Sequence, residues 1–165
     1  MIINYGKQTI DKADIKSVIK VLKGSYLTQG PQILKFENNL NNYFGSKFCA
    51  VVANGSAALY IVAKTLEWKK GDHVITTANT FLATASCILH TGAVPEFVDI
   101  DKVNYTIDPN KTEDRIKKLK GKVKAIIAVD YAGHPCDWES LKFLSRKYNL
   151  KLVNDNCHAM GAKIN

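Results

Sequence analysis

An aspartate and a histidine, Asp155 and His158, stand three residues apart directly after the apolar run at 151–154. Both can face one cavity. A carboxylate there can pair with a protonated ring nitrogen and hold it cationic; the same pair also suits helix capping by Asp155 beside a structural histidine. A second cluster, Asn54-Gly55-Ser56-Ala57-Ala58, follows the β-rich run 48–53 and opens a helical pattern. Free N–H groups and the dipole at a helix start favour an anion such as phosphate, and glycine permits close approach. An ordinary turn with Ser56 as N-cap accounts for the same residues. The spacing is neither G-x-G-x-x-G nor G-x-x-x-x-G-K-[ST], so the nucleotide-loop readings lose their usual support. Phe81, after Asn79 and Thr80, either stacks on a flat ring at the mouth of a site or anchors its helix to the core. His73, His90 and His134 share no metal-ligand spacing and receive no such role. Cys49, Cys87, Cys136 and Cys157 contain no C-x-x-C and read as reduced, mostly buried thiols.

The elements that must position these residues alternate. Apolar β-rich runs at 48–53, 73–77, 96–100, 124–129 and 151–154 are separated by helical patterns at 56–67, 80–90, 109–119 and 137–148. Five strands with helical crossovers predict an α/β fold, a mostly parallel sheet covered on both faces, whose ligands gather at the carboxyl ends of the strands. That rule selects the turns at 54–56, 78–81 and 155–158. Two further helices are predicted ahead of the sheet: 11–23, with Ile15, Val18, Ile19 and Leu22 inward, and 31–43, with Pro31 in its first turn and Ile33, Leu34, Phe36, Leu40 and Tyr43 inward. The organisation expected is a helical segment 1–45 followed by an α/β core 46–165.

Composition narrows the function classes. The chain has 165 residues, 46% of them hydrophobic and 23% charged, which matches a folded globular protein and disfavours disorder or a coiled coil. No apolar run approaches the ~20 residues that cross a bilayer, and the start lacks signal-peptide order, so the expectation is a cytoplasmic protein without a membrane partner. The net charge of +8 suits phosphorylated ligands, nucleic acid or an anionic surface. Its densest stretch, Lys111 to Lys124, reads as a solvated helix face with Ile116 and Leu119 inward, and neither an aromatic-basic motif nor a basic recognition helix supports nucleic acid.

INYGKQTID, YLTQGPQILKFE, VVANGSAAL, ITTANTFLATASCILHTGAVPEFVDID, VDYAGHPCD and VNDNCHAMGA occur in that order. Together they resemble blocks of the DegT/DnrJ/StrS family of sugar aminotransferases, pyridoxal 5'-phosphate enzymes of the aspartate-aminotransferase-like fold (fold type I). The resemblance implies that Ser56 and Ala57 hold the cofactor phosphate, Phe81 stacks on the ring, Asp155 pairs with the ring nitrogen and His158 supports the cofactor. It further implies that Tyr5, Ser25, Tyr26, Leu27, Thr28 and Gly55 meet a nucleotide-sugar substrate. LTQG and VDYAG resemble members acting on UDP-linked 4-keto-6-deoxy sugars, with glutamate the expected amino donor and a homodimer the expected full-length assembly. The family's Schiff-base lysine belongs roughly twenty residues beyond His158, and so past Asn165; no catalytic residue is assigned within the chain. The chain is thus expected to be the amino-terminal part of the large domain, without the small carboxy-terminal domain and inactive alone. A sugar dehydratase of the same family and a non-catalytic binding fragment are the alternatives.

Overall fold

The computed structural model describes residues 8–163, which form two compact units dividing between Val51 and Val52. The first unit is helical. In α1 (Lys12–Leu22), Asp11 accepts from the amides of Ala13 and Asp14, and the Asp14 side chain accepts from the Asp11 amide, a reciprocal cap. Pro31 opens α2 (Pro31–Phe44), and Gly45 closes it in the left-handed region at φ 63°. The boundaries follow the predicted ones closely. The predicted inward faces do not: neither helix holds a buried residue, and Ile15, Val18, Ile19, Leu22, Ile33, Leu34, Phe36 and Tyr43 are exposed. An amphipathic stripe is buried only where another surface covers it, and this unit supplies none.

The predicted strand at 48–53 is absent as well. A strand exists through its ladder, and the Val51 amide instead donates to the Glu37 carboxylate at 2.9 Å. Five expected strands therefore become four among the described residues.

The second unit is a parallel sheet of β1 (His73–Thr77), β2 (Val94–Val98), β3 (Val123–Val129) and β4 (Lys151–Asp155), in spatial order β2-β1-β3-β4. Helices α3 (Gly55–Thr65), α4 (Leu82–Leu89), α5 (Pro109–Lys118) and α6 (Trp138–Tyr148) cover it, and a short 3-10 turn, Tyr131–Gly133, follows β3. Successive strand side chains point to opposite faces, which separates the core into two clusters. Ile75, Ile126, Ile116, Leu141 and Leu144 pack under α5 and α6, with Leu119 partly buried beside them. Val74, Ala125, Ile127, Leu59, Ala63 and Ile88 pack under α3 and α4. Because β1 and β3 are covered on both faces, they are apolar almost throughout.

Edge strand β2 carries Glu96, which is 7% exposed. His73 Nδ1 lies 2.6 Å from it, and Arg115 of α5 donates to its other oxygen. Burial alone would raise the Glu96 pKa, but the hydrogen bonds and charges of Arg115 and His73 outweigh it and leave the carboxyl below its usual range.

Candidate functional site

The carboxyl ends of the strands converge on one cavity of about 180 Å³. Gly55 and Ser56 at the start of α3, Phe81 before α4, Asp155 at the end of β4 and His158 just beyond all line it, with Leu59, Ala83 and Val129 as its apolar wall. Thus residues from the three turns selected by the parallel-sheet rule meet in one place. The end of β3 contributes too, through Tyr131, which the sequence reading passed over although the same rule covers it.

Each position has a local cause. Asn54, not Ser56, caps α3: its side chain accepts from the Ala57 amide at 2.9 Å. That amide is therefore engaged, while those of Gly55 and Ser56 have no partner among the described residues and sit at the positive end of the helix. Ala57 instead borders a neighbouring shallow hollow with Tyr60 and His90, and Ser56 borders both. A Cβ on Gly55 would lie 2.7 Å from Cys157 Sγ, so glycine is needed here for space. Phe81 is 69% exposed, which removes the reading of it as a core anchor. It is the N-cap of α4, extended at φ −73° and ψ 145°, without a side-chain cap.

Asp155 is 5% exposed. Its Oδ2 accepts from Thr84 Oγ1 at 2.7 Å, and Oδ1 meets the Cys157 amide at 3.4 Å. Asp155 therefore does not cap a helix. His158 is exposed, with Nδ1 accepting from the Ala132 amide at 3.4 Å; its ring stands 6.2 Å from that of Tyr131. Ala132, within the 3-10 turn, adopts a left-handed φ of 53°. An imidazole accepting at Nδ1 carries a proton at Nε2, so its far side is a donor. The Cys157 thiol, although the residue is exposed, is pushed up to about 11, first by desolvation of the sulfur and then by the hydrogen bond and charge of the adjacent Asp155 carboxylate.

Two positions named from the sequence, Tyr5 and Asn165, lie outside the described residues, as does the Schiff-base lysine expected past Asn165. Ser25, Tyr26 and Leu27 line a hollow of about 260 Å³ within the first unit, between the ends of α1 and α2, and Thr28 lies in the same loop. Gly30 belongs there: a Cβ on it would meet Tyr26 Cβ at 2.9 Å.

Chemically, the cavity offers an exposed aromatic, a buried carboxylate and unpaired N–H groups at a helix start. That combination suits a flat ring that is cationic at one edge and carries an anionic arm, and the donor set fits pyridoxal 5'-phosphate.

Comparison with known proteins agrees. Residues 8–165 match the model of the DegT/DnrJ/EryC1/StrS aminotransferase family. The chain is 38% identical over 160 residues to a UDP-4-amino-4,6-dideoxy-N-acetyl-beta-L-altrosamine transaminase of Campylobacter jejuni, covering 97% of this chain and 42% of that protein. Among solved structures it resembles Helicobacter pylori PseC, an aminotransferase involved in pseudoaminic acid biosynthesis, with TM-score 0.87 and 33% identity over 96% of this chain and 42% of that one. It also resembles Bacillus subtilis NtdA with bound cofactor PMP, with TM-score 0.83 and 31% identity over 89% of this chain and 33% of that one. The chain thus spans about two-fifths of the length of the curated relatives it matches. The expected fold class, that of the fold type I pyridoxal-phosphate aminotransferases, is the one it shares with these structures.

Proposed function

Because this chain belongs to the DegT/DnrJ/EryC1/StrS aminotransferase family, we propose that it is the amino-terminal part of a pyridoxal-phosphate-dependent nucleotide-sugar aminotransferase. The observation that carries the reading is the buried Asp155 carboxylate opening on the same cavity as Phe81 and the α3 N-terminus. When bound, pyridoxal phosphate supplies an electron sink for moving an amino group between a donor and a keto sugar.

The chain's own residues hold and tune that group. With the cofactor bound, Asp155 would pair with the ring nitrogen and favour its protonated form. Phe81 covers one face of the ring; its exposure leaves the aromatic surface free to stack. The amides of Gly55 and Ser56 and the Ser56 hydroxyl take the phosphate, while Ala57 contributes through the backbone turn that Asn54 caps. His158 supports the cofactor edge with its Nε2 proton. Of the residues the resemblance gives to the nucleotide sugar, Ser25, Tyr26 and Leu27 share the hollow of the first unit with Thr28 in the same loop, and Gly55 lines the cavity of the second. The similarity to the Campylobacter jejuni transaminase supports a UDP-linked 4-keto-6-deoxy sugar as acceptor, with glutamate as donor. No residue of this chain takes the covalent link to the cofactor in this reading, and the working enzyme is proposed as a cytoplasmic homodimer.

Asp155→Asn in the full-length enzyme tests the reading. Removing a preorganised electrostatic partner of this kind lowers turnover of a UDP-4-keto-6-deoxy sugar with glutamate by at least about a hundredfold. A variant with parental rates would overturn the role of Asp155.

A further inference from the structure

Thr84 is wholly buried on α4, and its hydroxyl bonds to a side chain of another element and not to the backbone of its own helix. Ser17, Thr65 and Thr112 each donate to the carbonyl four residues back in their own helix, the usual outlet for such a side chain. Thr84 instead reaches across 71 residues of sequence to Asp155 Oδ2 at 2.7 Å. Its oxygen lies 2.8 Å from Thr80 Oγ1.

Proton arithmetic sets the direction of this chain. An ionised carboxylate only accepts, so Thr84 must donate to it; a hydroxyl has one proton, so Thr80 must donate to Thr84. The line therefore runs from Thr80, beside Phe81, through Thr84 to Asp155. Oδ2 is fixed by a short charge-assisted bond. Oδ1, which among the described residues meets the Cys157 amide at the longer distance of 3.4 Å, is the oxygen more open to a ligand.

We propose that Thr84 is a positioning residue that orients the Asp155 carboxylate towards the ring nitrogen, with Thr80 ordering the Thr84 hydroxyl from the ring-stacking turn. The proposal rests on the reading of Asp155 given above. It links two walls of the cavity, the turn bearing Phe81 and the end of β4, through side chains rather than through the sheet.

The test measures dissociation constants of pyridoxamine 5'-phosphate, which binds without a covalent bond to lysine, by fluorescence titration of the full-length enzyme. Thr84→Val, equal in shape but without the hydroxyl, is expected to weaken binding about tenfold, the lower range for a hydrogen bond to a charged group. Thr84→Ser should stay within about twofold of the parent, and Thr80→Val should lose about threefold. In an Asp155→Asn background, Thr84→Val should cost less than about twofold, because its partner no longer carries the charge. Additive effects, or parental affinity in Thr84→Val beside weakened Asp155→Asn, would overturn the positioning role and leave the reading of Asp155 intact. Parental affinity in Asp155→Asn would overturn that reading itself. Should Thr84→Val fail to fold, Thr84→Ser and Thr80→Val decide: loss of binding in the first or none in the second refutes the proposal.

Discussion

Individual side chains in the cavity separate binding from folding. Phe81 is mostly exposed and Asp155 is buried, so substitutions at the two should differ in kind. Phe81→Ala removes aromatic surface without opening the core; pyridoxamine-phosphate affinity should fall roughly three- to tenfold, the value of one aromatic contact, while the urea midpoint stays at the parental value. Gly55 shows the reverse. Adding a methyl group places carbon 2.7 Å from Cys157 Sγ, and such overpacking costs about 1 kcal/mol or more. Gly55→Ala should therefore unfold at lower urea than the parent, and Gly55→Ala/Cys157→Ala should recover most of the difference. Failure of the double variant to recover would mean that glycine serves the backbone there and not the space.

At the level of elements, α5 and α6 are clasped through Glu113. Hydrogen bonds from Lys147, then Tyr148 and Lys117, hold its carboxyl down to about 2 from an ordinary 4.5. A folded pKa below the unfolded one stabilises above the unfolded value and loses that contribution as pH falls from about 4.5 towards 2. Glu113→Gln should thus unfold more easily than the parent at pH 7 and approach it at about pH 2.5 in urea titrations; a constant difference across that range would show that the clasp is not ionic. The sequence made these elements legible to different degrees. All six helices were readable, because a proline suited to a first turn, such as Pro31, and a repeat near 3.6 residues are local properties. Strands β1, β3 and β4 were equally plain as short apolar runs, and β2 begins two residues ahead of the expected run. The run at 48–53 misled, since β composition does not supply a ladder partner. At the site, the turns after β1 and β4 could be found from strand ends, but Thr84 could not: its role depends on a contact between α4 and β4 that no local pattern announces.

For the molecule as a whole, the charge of +8 and the proposed anionic nucleotide sugar make a joint expectation. A positive field speeds encounter with such a substrate and is screened by salt. For this chain, affinity for a UDP sugar should fall several-fold between about 10 mM and 200 mM salt; an affinity that salt leaves unchanged would remove the field from recognition. The strand order carries a consequence in time. With β1 flanked by β2 and β3, the 71-residue loop closed by Thr84 and Asp155 is completed only when β4 docks on β3. The cofactor cradle therefore forms after the pairing of β1 with its neighbours. Because a ligand gripped there selects the sheet with β4 docked, a vitamin-derived cofactor at about a hundred times its dissociation constant would add about 2.7 kcal/mol against unfolding, so that the reagent of the chemistry would double as a strut for the fold.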